Sequence, residues 1–264
     1  MTAVQDTKRK TTWKAWGETH PGRERDNNED RVLCETGRGI FVVADGMGGE
    51  AAGEVAAEQA VHSIKKRLHQ KTGTAARRIR EAIAGANNEI YRLAERNPQW
   101  RGMACVVTAA VIEGGVLHIG HVGDSRLYKI LDGRIRKITS DHSPVGLRED
   151  AGELTEAEAK IHPRRNEVFR DVGSQPHQPD DEGFIDYVQI PFESAAAIIL
   201  CSDGLSDMLT SDEMLRTVVA CAGRPRDSVR RLIEKANDAG GKDNIAAIVI
   251  EADGFAAARA GTAP

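Results

Sequence analysis

The stretch IFVVADGMGG, residues 40–49, carries five apolar, β-prone residues into an aspartate and then into glycines. Such a run predicts a buried strand over Ile40–Ala44 with Asp45 at its end. The pattern recurs where LHIGHV meets Gly123 and Asp124, where AIILCSD meets Gly204, and where Gly241 and Asp243 lead into NIAAIVI. One Asp-Gly pair is an ordinary turn former. Four carboxylates at strand edges, those of Asp45, Asp124, Asp203 and Asp243, form a pattern that single turns do not. An ionised carboxylate is costly to remove from water, yet it is tolerated at a sheet rim when cations neutralise it, and glycine lets backbone and ligand approach closely. The four together predict a metal site.

Outward from that stretch, strands are expected at 31–34, 40–44, 106–112, 116–122, 127–130, 184–190, 196–201 and 245–251, several joined by hairpin punctuation such as Gly114-Gly115 and Asp132-Gly133. Two long helices fall between the early and middle strands. One carries Ala57, Val61, Ile64 and Leu68 on a single face; the other carries Ile79, Ile83, Ala86, Ile90 and Leu93 and stops before Pro98. Thr210 with Glu213 is a capping-box pattern, and Pro225 suits the first turn of a further helix through Val229, Leu232, Ile233 and Ala236. Strands linked by hairpins, with helices in pairs, predict an α+β sandwich of mainly antiparallel sheets covered by helices. Residues 1–12 and 253–264 are expected to be flexible tails around one domain over 13–252. A loosely patterned insert at about 141–186, with a short capped helix at Thr155–Lys160, is expected to be an ordered flap.

The 264 residues are 40% hydrophobic with a formal net charge of −4. No basic field points to nucleic acid, no apolar run is long enough to cross a bilayer, and the N-terminus lacks the apolar core of a secretory signal. A cytoplasmic protein, without membrane or nucleic-acid partners and monomeric, is the expectation. Cys34, Cys105, Cys201 and Cys221 are widely spaced with no CxxC pair and read as reduced.

Oxygen ligands without a His or Cys cluster favour hard cations, Mn²⁺ or Mg²⁺, over zinc. Two such ions roughly 3.5–4 Å apart suit in-line displacement at phosphorus. Asp45 is the best bridge between them, because its strand is so apolar, and Gly46 behind it can offer a carbonyl. The earlier run RERDNNEDR supplies Asp30 as a further oxygen ligand and Arg25 as a fork for phosphate oxygens. Read alone, that run is a solvated charged loop.

Taken together, Arg25-x-x-Asn28-Glu29-Asp30, Val43-Ala44-Asp45-Gly46-Met47-Gly48-Gly49, Gly123-Asp124-Ser125-Arg126, Asp141-His142-Ser143, Cys201-Ser202-Asp203-Gly204 and Gly240-Gly241-Lys242-Asp243-Asn244 resemble, in order and spacing, the PP2C-type metal-dependent protein serine/threonine phosphatases, the bacterial branch above all. The resemblance spans Trp16 to Glu251. It implies a four-layer αββα sandwich holding two Mn²⁺ or Mg²⁺ ions, bridged by Asp45. Asp203 and Asp243 would serve the first ion, the Gly46 carbonyl and Asp30 the second, and Asp124 with Asp203 a weaker third. Arg25 would bind phosphate, Asn244 would support the Asp243 loop, and a metal-bridging water would attack phosphorus directly. The implied partners are phosphorylated proteins and a serine/threonine kinase with its targets. Two departures stand out. Glu50 replaces the histidine of many relatives and is the substitute candidate for a general acid, and Met103-Ala104-Cys105 replaces a usual GTT, a change of packing more than of chemistry.

Rival readings are weaker. Gly46-Met47-Gly48-Gly49-Glu50-Ala51 fits a relaxed dinucleotide fingerprint, which would make the chain an NAD-dependent oxidoreductase, but Asp45 would repel the pyrophosphate and the region about 20 residues on reads Ile64-Lys65-Lys66-Arg67. Gly240-Gly241-Lys242 lacks the first glycine and the Ser or Thr of a P-loop. No cysteine has an arginine six residues later, so cysteine-based phosphatase chemistry is excluded. A pseudophosphatase, a binding module on the same fold, is the alternative that the retained aspartates argue against. His118, His121 and His142 read as structural residues.

Overall fold

The computed structural model describes residues 11–48 and 52–256. The opening stretch forms β3 (Ile40–Met47), and its alternation sets the architecture. Ile40, Val42 and Ala44 pack towards helices, while Phe41 and Val43 pack into a separate cluster between two sheets. A strand that is apolar on both faces needs cover on both, which a four-layer arrangement provides.

The first sheet runs β2 (Arg31–Glu35), β3, β4 (Ala104–Glu113), β5 (Val116–Val122), β8 (Asp186–Pro191); the second runs β1 (Trp13–His20), β10 (Ile245–Ala252), β9 (Ala197–Cys201), β6 (Arg126–Leu131), β7 (Arg134–Lys137). Every neighbouring pair is antiparallel. Helices α1 (Ala52–Leu68) and α2 (Ala75–Arg96) cover the first sheet through Ala57, Ile64, Ile79, Ile83 and Ile90. On the second sheet lie α6 (Ser211–Ala220) and α7 (Pro225–Asp238), through Met214, Val218, Val229 and Leu232. Phe41, Leu117, Ile119, Leu127, Ile198, Leu200, Ile248 and Ile250 fill the space between the sheets. The expected αββα sandwich is therefore the observed one, and the expected caps are present: Thr210 accepts from the Glu213 N–H in a full capping box, and Pro225 opens α7.

Some expectations need correction. The sequence pattern signals no strand at β1 or β7 and no helix at α3 (Pro144–Asp150), all of which the structure contains. β1 and β7 are edge strands in which every residue is half-exposed or exposed, so their apolar signal is thin. The strand expected from residue 184 begins at Asp186, because Phe184 and Ile185 turn into the α1–α2 core. Residues 253–256 are not a loose tail. The Asp253 N–H donates to the Thr12 carbonyl, the Gly254 N–H donates to that of Ser194, and Phe255 is buried against β9 and β10. Cys105, Cys201 and Cys221 are buried, Cys34 is half-buried, and all four are free. No helix among the described residues is long and apolar enough to cross a membrane.

Gly204, in α5 (Asp203–Ser206), makes the tightest backbone approach: a Cβ there would stand 1.9 Å from the Asn244 carbonyl oxygen. Backbone cannot retreat as a side-chain tip can. Gly204→Ala is expected to lower the unfolding free energy by roughly 3 kcal/mol in urea titration; a change under about 0.5 kcal/mol would show that the two loops are not locked together.

Candidate metal centre

Alternation brings the predicted aspartates to one end of the space between the sheets. Along β3 the inward series Phe41, Val43 continues to Asp45; along β2 the series Cys34, Val32 continues to Asp30, with Arg31 paired to Ala44. In β9, Ile198 and Leu200 lead to Ser202, and in β10, Ile250, Ile248 and Ala246 lead back to Asn244. Apolar residues give way to polar ones at this rim, and Asp203 and Asp243 flank it.

Asp30 is fully buried, with Oδ2 accepting from the Ser202 hydroxyl at 2.7 Å. That hydroxyl accepts in turn from the Ala246 N–H at 2.8 Å. The other oxygen, Oδ1, is buried with no partner among the described residues. A buried acceptor left unmatched is uncommon and costs about 1–3 kcal/mol. Burial, opposed by the Ser202 bond and reinforced by Asp243, pushes the Asp30 carboxyl up to about 7. Asp45 keeps some surface open, yet burial and then the charges of Asp30, Asp203, Asp124 and Asp243 raise it well above the carboxylate range. Asp203 is raised by burial and then by Asp124, Asp207, Asp243 and Asp30. These mutual influences mark the five as one cluster. Like charges at such range spread apart, and among the described residues no three His, Cys, Asp or Glu side chains already stand in a metal-holding arrangement.

Asp124 follows Gly123, whose φ of 110° suits glycine. Burial, then Asp141 and Asp207, push its carboxyl to about 7. The Gly123 N–H donates to His142 Nδ1 at 3.0 Å, and His142 Nε2 stands 3.1 Å from Asp186 and 2.9 Å from Arg170 Nη1. The His142 carbonyl accepts from the Phe169 N–H, so this residue ties the Asp124 loop to the flap. His121 is buried between Thr108 and Ser140, and burial lowers it to about 4. His118 meets Tyr187. All three histidines hydrogen-bond to protein groups, in the manner expected of structural residues.

On the far side, Asp243 accepts from Asn244 N–H through Oδ1 and from Arg25 through Oδ2, both at 2.8 Å. The Asp243 carboxylate, foremost among the causes, raises the Arg25 guanidinium. The predicted phosphate fork is thus present but turned onto a predicted metal ligand. Asn244 accepts from Glu29 N–H and donates to the Pro21 and Asn27 carbonyls, clamping the Arg25–Asp30 loop to the Asp243 loop. Gly46 lies against α1: a Cβ there would meet the Gly53 carbonyl at 2.1 Å. Glu50 lies outside the described residues. Cys105 joins the flap, exchanging backbone hydrogen bonds with Val172 at 3.0 and 2.8 Å, in keeping with the packing role expected there.

Sequence reasoning missed three contributors. Ser202 was visible only as the residue before Asp203. Asp207, one turn beyond Asp203 and also raised by burial, had a signal in the i, i+4 spacing. Arg126, in the quoted Gly-Asp-Ser-Arg run, bonds Asp141 and Glu149 at 2.6 and 2.7 Å.

A buried carboxylate oxygen without a partner, inside an all-oxygen donor set, fits a hard divalent cation. The family model for protein phosphatase 2C matches residues 17–257 and so takes in all these positions. The chain belongs to the protein phosphatase 2C family. It is 32% identical over 243 residues to the serine/threonine phosphatase stp of Listeria monocytogenes, covering 89% of this chain and 94% of that one. The fold is similar to the serine/threonine phosphatase PstP of Mycobacterium tuberculosis, with a TM-score of 0.81, 30% identity, and 90% of this chain and 98% of that one covered. It is similar also to the catalytic domain of PstP in complex with two manganese ions, at a TM-score of 0.81 and 28% identity, with 92% and 99% covered.

For a phosphatase 2C chain the raised carboxyls have a thermodynamic sign. A folded-state pKa above the unfolded one gives stability that is full below the ordinary value of 3.8 and lost as pH rises through about 7. In chelator, the melting temperature is expected to fall by roughly 10 °C between pH 5 and pH 8, and added Mn²⁺ should restore it at the upper end. A flat profile in chelator would contradict the clustered-carboxylate reading.

Proposed function

We propose that the chain is a metal-dependent protein serine/threonine phosphatase that hydrolyses phosphoserine and phosphothreonine in proteins. The observation that carries this reading is the convergence of Asp30, Asp45, Asp124, Asp203 and Asp243 at one rim, beside Arg25 and with Asp30 Oδ1 unmatched. Family membership and the manganese-bound relative support it.

Asp45 would bridge two Mn²⁺ or Mg²⁺ ions, Asp203 and Asp243 would complete one, and Asp30 with the Gly46 carbonyl would complete the other; Asp124 with Asp203 would hold a third more weakly. When bound, such ions supply Lewis acidity and lower the pKa of water. The chain's own residues do the rest. Ser202 fixes one Asp30 oxygen and so leaves the other free for a cation. Asn244 holds the Arg25 and Asp243 loops together, which sets the guanidinium within reach of phosphate. Arg25, more than half exposed, gives Asp243 one Nη2 bond, which leaves further donors of the guanidinium for phosphate oxygens. Phosphoproteins would be the substrates, a serine/threonine kinase the opposing enzyme, and the cytoplasm the setting.

Hydrolysis of an aryl phosphate and of phosphoserine peptides is expected to require added Mn²⁺ and to vanish with chelator. Asp45→Asn and Asp203→Asn should each lower kcat/KM by about 10³-fold or more, the loss expected when a metal ligand is removed. No turnover of either substrate with saturating Mn²⁺ would favour a binding module on this fold instead. Arg25→Ala should act chiefly on KM, raising it about tenfold with kcat little changed, because a ground-state phosphate contact is lost. An unchanged KM would remove Arg25 from the phosphate site.

A further inference from the structure

The flap brings a second set of charges against Asp124 and Asp203. The narrow cleft beneath it, with about 20 Å³ open to a water-sized sphere, is lined by the carboxylates of Asp124, Asp141, Glu149, Glu156, Asp203 and Asp207 and by the cations of Arg126, Lys160 and Arg165. A space of that size holds about one water or one bare ion.

Most of these charges are already committed. Arg126 bonds Asp141 and Glu149, and Arg165 stands 3.3 Å from Asp207. Glu156 caps the start of α6, accepting from the Ser211 N–H at 2.7 Å and its hydroxyl at 3.1 Å. Removing these pairs leaves Asp124 and Asp203 with a single cation that, among the described residues lining the cleft, has no partner. That cation is Lys160, whose Nζ is buried without a hydrogen bond.

An ammonium withdrawn from water without an acceptor costs several kcal/mol unless a negative potential holds it. Burial pulls the Lys160 amine below its ordinary value, and Glu156, Glu213 and Asp207 oppose that pull. Its position is fixed from behind. α4 (Glu156–Lys160) has a full capping box from Thr155 and Glu158, buries Ala159, and is moored to α6 through Glu156.

We infer that Lys160 is a built-in cation of the Asp124–Asp203 cleft, one that weakens binding of a divalent ion there and so sets how many ions the protein holds at a given concentration. This rests on the reading of Asp124 and Asp203 as cation ligands. A neighbouring unit charge in a partly buried cleft is enough to change a divalent ion's affinity on the order of tenfold.

The test is equilibrium dialysis of the full chain against Mn²⁺, counting bound ions directly, so that turnover does not enter. Lys160→Met and Lys160→Gln should bind their weakest Mn²⁺ on the order of tenfold more tightly than the wild type. Lys160→Arg, which keeps the charge, should follow the wild type, and Asp124→Asn added to Lys160→Met should abolish the gain. Circular dichroism identifies any variant that fails to fold, and the Met and Gln changes provide two independent chances. Two ions bound with unchanged isotherms in both neutral variants would overturn the Lys160 assignment alone. A gain shared by Lys160→Arg, or one that survives Asp124→Asn, would also overturn it. No Mn²⁺ bound by any form would overturn the metal-dependent reading along with it.

Discussion

Repulsion among carboxylates gathered at one rim of an apolar sandwich governs the rest of this molecule. The carboxyls of Asp30, Asp45, Asp124 and Asp203 are all raised above the ordinary range, first because of burial and then because of neighbouring carboxylates: Asp243 for Asp30, Asp141 and Asp207 for Asp124, and the other rim aspartates for Asp45 and Asp203. Left to themselves such groups would separate or draw in water. Each is instead set at the end of a strand, or on the turn after it, whose other residues are locked into a core, so side-chain repulsion works against the packing of two whole sheets. The inter-sheet cluster around Phe41, Ile119, Ile198 and Ile248 acts as the restraint.

Staples supply the restraint where the strands end. Asn244 uses its carbonyl and both amide protons to join three backbone groups of the Pro21–Glu29 loop to the start of β10. Ser202 relays a backbone N–H to Asp30 through its hydroxyl. Gly46 against Gly53, and Gly204 against Asn244, let loops approach at distances that any Cβ would forbid. All are uncharged. Each holds a carboxylate-bearing loop without neutralising it, so the negative potential stays available to a cation.

Legibility in the sequence followed the strength of local periodicity. The runs over β3, β9 and β10 are apolar on both faces, β5 is apolar but for two histidines, and the stripes of α1, α2 and α7 are regular, so strands, helix pairs and the rim aspartates could all be read directly. β1 and β7 could not, because an edge strand with one wet face and a sequence such as WKAWGETH carries little apolar signal. Phe255 was misplaced in a tail because burial there depends on backbone bonds to Thr12 and Ser194, which are remote in sequence. The membership of Asp45, Asp203 and Asp243 in one cluster was legible from their shared place at strand edges and, more specifically, from motif order. That Arg25 would lie on Asp243, and that Ser202 would hold Asp30, were not legible, since both are contacts across more than 170 residues that no local pattern encodes.

Arg25 and Arg165 stand beside the cluster without entering it, and size explains why. A guanidinium is planar and carries five donors in a fixed fork, so filling the rim with one would occupy the space a phosphate needs. Arg25 therefore approaches Asp243 from the exposed side, at a side-chain exposure of 52%, and Arg165 meets Asp207 from the flap. A divalent ion is smaller than either head group and carries twice the charge, so it can sit among carboxylates and still leave room beside it. Asp30 shows the consequence at the level of one atom. Its Oδ2 has the Ser202 hydroxyl, while its Oδ1 is buried with no hydrogen-bond partner among the described residues, an acceptor of the kind a small hard cation satisfies.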